Sequence, residues 1–60
     1  MAWLVVDEDG QEVESASYPR WNKEEGAWIA ADGKIAEIPK GTIQKLTGRC
    51  LTWLDEPIEI

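Results

Sequence analysis

The sequence predicts an all-β fold, mostly antiparallel, with about five short strands in a small SH3-like barrel or curled sheet and one helical turn near 42–47. Five glycines and three prolines interrupt the chain so often that no stretch without them exceeds nine residues. The average helix has about 11 to 12 residues, whereas strands average about 5 to 6. Segments rich in tryptophan, valine and isoleucine alternate with turn residues, as strands do. A chain of 60 residues has material for one core, so one domain at 1–60 is expected.

The first hairpin is predicted at the N-terminus. Trp3–Val6 is apolar on both faces, as a central strand is. Residues 7–10 form an acidic loop that ends in glycine, a residue that adopts positive φ at no steric cost. Residues 11–16 alternate, with Val13 and Ser15 on one face and acidic side chains on the other. They predict an edge strand with a solvated acidic face.

The middle of the chain predicts a long loop and a second hairpin. Residues 17–26 have little periodicity and include Pro19, so they are expected to form the loop. Residues 27–30 and 34–38 then flank Asp32-Gly33, the dipeptide that two-residue type I′ turns prefer. These two segments should therefore pair as antiparallel strands.

The segment from Thr42 to Gly48 predicts a helical turn. Thr42 can cap the free N–H groups at its start, and Gly48 suits the left-handed position after its end. Ile43 and Leu46 are three residues apart, so both should face the core. A fifth strand is expected at 50–54, and 58–60 should form a short edge strand or a tail.

Cys50 and the absence of histidine exclude several kinds of site. A lone cysteine forms no intramolecular disulfide. One thiol without histidine does not make a zinc site. The apolar run at 50–54 predicts that the Cys50 thiol is buried. The alternative, a reactive thiol, lacks the neighbouring base that it would need. We expect no metal and no cofactor.

The charge of the chain bears on its partners. Twelve acidic and six basic residues give a net charge of -6, which argues against direct nucleic-acid binding and against anionic membranes. The acidic surface serves solubility, or it meets a basic partner by imitating the phosphates of nucleic acid. The apolar residues 1–6 lack a basic flank and are too short for a signal peptide or a membrane span. A cytoplasmic protein is expected.

Catalysis is not expected, and no catalytic residue is predicted. Histidine is absent, and neither a serine nor the cysteine has an evident activating partner. The acidic residues at 7–12 are out of register for a calcium loop. Lys40-Gly41-Thr42 reverses the order of lysine and glycine that a phosphate-binding loop requires.

Tyr18, Arg20 and Trp21 form one group of candidate binding residues. Their residue types are enriched at interface hot spots and at stacking sites for bases. The alternative is that they pack over one end of the sheet. The other tryptophans are expected to supply most of the core, in a chain without phenylalanine. They are Trp3, Trp28 and Trp53.

A second group lies in a short stretch that holds four of the six basic residues, from Lys34 to Arg49. A glycine beside a helical N-terminus presents free N–H groups to an anion. This pattern predicts an anion site, or else a solvated face whose lysines offset the acidic excess. The candidate residues are Lys40, Thr42, Lys45 and Arg49.

A resemblance covers about half of the chain. The pattern Pro-Lys-Gly-Thr-Ile…Gly-Arg…Leu-Thr-Trp…Asp-Glu-Pro within residues 38–60 resembles a group of short bacteriophage and prophage proteins with no assigned activity. The opening residues 3–10 are similar to the same group, and the segment from Pro-Lys-Gly-Thr to Gly-Arg is the most specific part. The resemblance implies a phage origin, in the cytoplasm of a bacterial host, and carries over no functional residue.

These observations together predict a non-enzymatic phage-type binding protein that blocks a host protein by occupying its surface, as an inhibitor of host defence would. The alternative is an oligomer that sequesters a small phosphorylated signal, such as a cyclic nucleotide. Trp21 would then stack on the base, and Arg20 with the second group would hold the phosphate. A third alternative is a virion accessory protein. Self-association is expected, because so small a core lacks disulfide or metal support.

Overall fold

The computed structural model describes all 60 residues and contains two antiparallel sheets and one short helix. The strands and the helix are β1 (Trp3–Val6), β2 (Glu12–Ser15), β3 (Arg20–Asn22), β4 (Ala27–Ile29), β5 (Ile35–Ile38), α1 (Thr42–Thr47) and β6 (Ile58–Glu59). The first sheet has the order β5-β2-β1-β6, and β3 with β4 forms a separate two-stranded ribbon. The all-β class and the helical turn at 42–47 are confirmed. The strands number six instead of five, and the sheets do not close into a barrel.

Strand β1 is central and buried on both faces, as its sequence predicts. Its neighbours β2 and β6 both pair with it antiparallel. Leu4 and Val6 point to the face that holds α1, where they cluster with Ile43. Val5 lies on the opposite face, directly across from Val13 of β2. Trp28 of β4 lines a cleft with Val13 on this second face, whereas Ile43 of α1 packs on the first.

Strand β2 has the predicted alternation but not the predicted position. Val13 and Ser15 are buried and Glu14 is exposed. The prediction of an edge strand is wrong, because β5 pairs with the free side of β2 and completes the sheet. On the acidic face of β2, Glu14 is exposed whereas Glu12 is half-buried, so this face is only partly solvated.

The region predicted as a long loop contains β3, so that prediction is wrong. Strand β3 pairs with β4 in the register Trp21↔Trp28. A tight turn joins the two strands, because the Asn22 side chain accepts hydrogen bonds from the Glu24 and Glu25 amides at 3.0 and 3.1 Å. The predicted second hairpin is also wrong, since β4 pairs with β3 whereas β5 pairs with β2.

Helix α1 begins one residue earlier than a Thr42 cap requires, so the prediction that Thr42 caps it is wrong. Gly41 occupies the N-cap position with φ 93°, and the Thr42 hydroxyl donates to the Pro39 carbonyl at 2.6 Å. Gly48 ends the helix in the left-handed conformation, as predicted. Ile43 is 2% exposed but Leu46 is 60% exposed, so the prediction that both face the core is wrong.

Residues 50–54 do not form the predicted fifth strand. A turn at Thr52–Asp55 interrupts the segment, and the Asp55 amide donates to the Thr52 carbonyl at 3.0 Å. Cys50 is exposed, in contrast to the predicted burial, because its backbone no longer runs within a sheet. The short edge strand predicted at 58–60 is confirmed as β6, which pairs with β1.

The core consists of small aliphatic side chains. The buried apolar residues are Leu4, Val5, Val6, Val13 and Ile43, and Pro19 is also buried. Trp3, Trp28 and Trp53 do not supply the core as predicted, because all remain partly exposed. An indole is rarely buried completely even in large domains. No helix here has the length and hydropathy that crossing a membrane requires.

Candidate binding surface

Three tryptophans from distant parts of the chain meet at the surface of the ribbon. Trp21 and Trp28 face each other across β3 and β4, with ring centroids 5.4 Å apart and ring planes at 67°. Trp53 stacks on Trp21 at 5.3 Å with an interplanar angle of 24°. Such edge-on and offset-stacked pairs each contribute about 0.5 to 1.5 kcal/mol beyond area burial. All three rings nevertheless keep partial solvent exposure.

The turn at Thr52–Asp55 places Trp53 in this cluster. The Asp55 carboxylate accepts hydrogen bonds from the Thr52 amide at 2.7 Å and from the Thr52 hydroxyl at 3.2 Å. These bonds close the turn locally, since short polar side chains compete with sheet pairing for nearby backbone groups. Trp53 and Leu54 lie at its tip, and Leu54 is 75% exposed.

The ribbon is held on the larger sheet through Trp28. Its backbone N–H donates to the Asp7 carboxylate at 2.9 Å, and its indole N–H donates to the Val6 carbonyl at 2.9 Å. The Glu8 amide adds a bond to the Gly26 carbonyl at 3.0 Å. Trp28 is therefore both a structural anchor and a wall of the surface cluster.

Burial raises the pKa of Asp7, and repulsion from two other carboxylates, Asp9 and Glu37, acts in the same direction. The hydrogen bond from Trp28 opposes these effects without cancelling them. The structure thus holds a carboxylate in a place that disfavours its charge, and in return it gains an acceptor for the Trp28 amide.

The tryptophan cluster lines one of three surface clefts that share lining residues. A first cleft of about 260 Å³ is lined by Trp21, Trp28, Trp53, Leu54, Asp55 and Glu56. Trp53 is shared with a second cleft, which also includes Asp7, Glu8, Glu12 and Leu51. Asp7 and Glu8 are shared with a third cleft, which adds Asp9 and Glu25. We call these three adjoining clefts the acidic groove.

The structure separates the first group of predicted contact residues. Arg20 and Trp21 line one open cleft on the ribbon, together with Lys23 and Ile29. Tyr18 is exposed but packs edge-on against Trp3, with ring centroids 4.9 Å apart, and lines none of the clefts. Trp21 is the residue that the open cleft and the acidic groove have in common.

The second group surrounds α1, where the backbone N–H groups already have an acceptor. The Glu12 carboxylate accepts bonds from the Gly41 amide at 2.8 Å and from the Ile43 amide at 2.9 Å. Lys40 extends toward the acidic loop at 7–10. Its Nζ atom lies 3.8 Å from the position that a Cβ atom would occupy on Gly10. Lys45 and Arg49 are exposed, and no cleft is lined by Lys40, Thr42, Lys45 or Arg49.

Sequence reasoning missed two contributors to the groove. Leu54 was not singled out, and Trp53 was assigned to a buried strand. A signal for both was present, because Thr52 and Asp55 have the three-residue spacing of a turn closed by side-chain oxygens. Such a turn exposes the two residues between them.

No three histidine, cysteine, aspartate or glutamate residues are grouped so as to hold a metal ion. The acidic groove combines aromatic rings, one exposed leucine and carboxylates. No protein-family model matches the chain, and comparison with curated proteins and with solved structures found no match.

Proposed function

We propose that this chain is a non-enzymatic binding protein that acts by occupying a surface of a protein partner. The observation that carries the proposal is the partly exposed cluster of Trp21, Trp28 and Trp53 with the exposed Leu54 beside it. Tryptophan is the residue type most characteristic of interface hot spots, and apolar side chains left at a surface mark contact sites. Strand pairing places Trp21 opposite Trp28, and the Val6 carbonyl holds the indole N–H of Trp28.

The geometry favours a protein partner over a small phosphorylated ligand. The two helix N–H groups that could bind a phosphate already donate to Glu12. The stacking surface at Trp21 also borders Asp55 and Glu56, whose charges repel a phosphate. A nucleotide would therefore have its base and its phosphate in competing environments.

The resemblance to phage proteins suggests which partner to test. We propose a host factor in the bacterial cytoplasm, whose working surface the bound chain covers. This role requires no turnover, so the absence of histidine and of an activated nucleophile is consistent with it.

Two exposed leucines provide a matched test of the surface. The affinity-tagged chain, Leu54→Gln and Leu46→Gln are each used to capture proteins from a bacterial lysate at low salt. The captured protein is then purified, and its Kd is measured for all three chains. Leu54→Gln should weaken binding about tenfold or more, because interface truncations of this kind change the free energy of binding by about 1 to 2 kcal/mol. Leu46→Gln should bind like the unchanged chain, since Leu46 lines no part of the groove. Equal binding by both variants would contradict the proposed surface.

A further inference from the structure

We infer that the acidic groove binds a cationic segment of the partner that carries arginine, with a guanidinium group stacked on the tryptophan cluster. The inference rests on the proposed function and names the chemistry of the partner. It follows from the negative charge of the groove and from the indole rings that line its first cleft.

The groove has a more uniform charge than the molecule as a whole. The chain has one basic residue for every two acidic ones. Seven of the twelve acidic residues line the three clefts, and no lysine or arginine lines any of them. Grooves lined by charges of one sign focus the field and select a partner of opposite sign.

Each of the three clefts of the groove is lined by carboxylates. Asp9 and Glu25 line the cleft that contains no tryptophan, Glu8 lines that cleft and the second one, and Glu56 lines the tryptophan cleft. An extended segment with several positive side chains would therefore meet carboxylates at each step. A single bound cation would use only one of the clefts.

The cleft that contains the tryptophan cluster favours arginine over lysine. Guanidinium is planar, more weakly hydrated than ammonium and able to stack on an aromatic face, whereas the lysine ammonium acts as a compact point charge. Indole is the strongest aromatic partner for a cation, and such contacts are worth about 0.5 to 2 kcal/mol. Trp21, Trp28 and Trp53 present partly exposed indoles next to the Glu56 carboxylate.

Stacking alone would also suit the bases of single-stranded nucleic acid. The phosphates of that ligand would then lie against the carboxylates of the groove, which disfavours binding. The charge of the groove thus decides between the two, and an oligonucleotide serves as a comparison probe.

Intrinsic tryptophan fluorescence provides the binding measurement, because the rings are part of the site. The whole chain is titrated with hexa-arginine, with hexa-lysine and with a single-stranded oligonucleotide at low salt. Hexa-arginine should bind with a Kd about threefold to tenfold lower than that of hexa-lysine, as the difference in stacking implies. The oligonucleotide should not bind. Equal Kd values for the two peptides, or tighter binding of the oligonucleotide, would overturn the inference.

Two double variants with equal net charge separate the groove from general attraction. Glu8→Gln with Glu56→Gln removes two exposed charges from the groove, whereas Glu14→Gln with Glu59→Gln removes two exposed charges outside it. The groove variant should raise the Kd for hexa-arginine about fivefold, and the control should change it less than about twofold. Asp55 is left unchanged because its carboxylate closes the turn that holds Trp53. Equal weakening by both variants would contradict binding in the groove.

Trp53→Leu tests the stacking contribution, since leucine retains an apolar side chain without a ring. The preference for hexa-arginine over hexa-lysine should fall to less than about twofold, while thermal unfolding reports whether the variant folds. A preference that survives in a folded variant would overturn the inference. If the peptides fail but Leu54→Gln still loses the captured host protein, the proposed function holds and only the arginine chemistry falls. If Leu54→Gln has no effect on that protein while hexa-arginine binds as expected, the proposed function falls instead.

Discussion

Asp7 joins the two sheets at the scale of a single residue. It follows β1 directly, and its carboxylate accepts the Trp28 amide of β4 at 2.9 Å. The same carboxylate lies near Asp9 and Glu37, and burial and repulsion together raise its pKa above 3.8. The hydrogen bond is favourable whereas the negative charge is not, so a substitution can separate the two contributions.

Asp7→Asn should stabilise the fold at neutral pH, because the amide oxygen still accepts the Trp28 bond and the charge is gone. A raised folded-state pKa means that the protonated form stabilises the fold, and that this contribution is complete below about pH 3.8 and is lost as the pH rises through the folded pKa. The gain from Asp7→Asn should therefore be about 0.5 kcal/mol at pH 7, the usual scale of a partly exposed charge, and vanish near pH 3.8 and below. Urea unfolding of both chains across this pH range measures it.

Asp32 is the control of opposite sign. Its pKa is lowered, chiefly by the hydrogen bond from the Lys34 amide, so its charged form stabilises the fold above pH 3.8 and this contribution is lost as the pH falls. Asp32→Asn should accordingly lower the urea midpoint at pH 7, where Asp7→Asn raises it. Shifts in the same direction for both variants would contradict the assignment.

Glu12 shows why parts of the site lie beyond sequence reasoning. The segment around Gly41 has the local features of an anion site, and free N–H groups are present there as expected. Their anion is the Glu12 carboxylate, which lies 29 residues away in sequence and bonds to the Gly41 and Ile43 amides. Local spacing identifies the donors, but only the pairing of β2 with β5 brings their acceptor to them.

At the scale of elements, α1 packs against the sheet through one side chain. Ile43 clusters with Leu4 and Val6, whereas Leu46 is mostly exposed although it lies only three residues further along. A helix of six residues is too short to be stable alone, so its formation depends on this contact and on the Glu12 bonds.

Ile43→Ala should therefore destabilise the protein by about 2 to 5 kcal/mol, the usual range for truncating a buried isoleucine. In a domain of this size such a loss should leave most of the chain unfolded. Ile43→Val should lower the free energy of unfolding by only about 0.5 to 1.5 kcal/mol and so remain measurable. Leu46→Ala should change it by less than about 0.5 kcal/mol. Urea unfolding followed by circular dichroism compares the three, and a similar loss at Leu46 would contradict the structure.

The elements that the sequence predicts well are those whose signals are local. Trp3–Val6 is an apolar run and forms the expected strand. The acidic turn that follows it ends in Gly10, which has the expected positive φ. Asp32-Gly33 has an equally strong turn signal, but a turn sequence does not determine which strands pair. Strand β4 pairs with β3 instead. The sequence does not reveal β3, because a three-residue strand around Trp21 and the buried Pro19 give no periodic pattern to detect.

For the whole molecule, the size of the core limits stability. Seven of the 60 residues are buried, and the apolar ones are small. Large apolar side chains instead lie at the surface, where Tyr18 is 57% exposed and Ile29 is 41% exposed beside Arg20. These large apolar side chains are thus available for contacts between molecules, either with a partner or with a second copy of the chain.

Self-association is the last expectation to test at this scale. If copies of the chain cover each other's apolar surface, folding is coupled to assembly and apparent stability rises with protein concentration. For a dimer, a hundredfold increase in concentration should add about 2.7 kcal/mol, and with a slope of about 1 to 3 kcal/mol/M the urea midpoint should rise by roughly 1 to 3 M. Urea unfolding at about 5 and about 500 μM measures the shift of the midpoint, and sedimentation equilibrium in the same buffer measures the assembly. An unchanged midpoint together with a monomer mass would show that the thin core is sufficient alone.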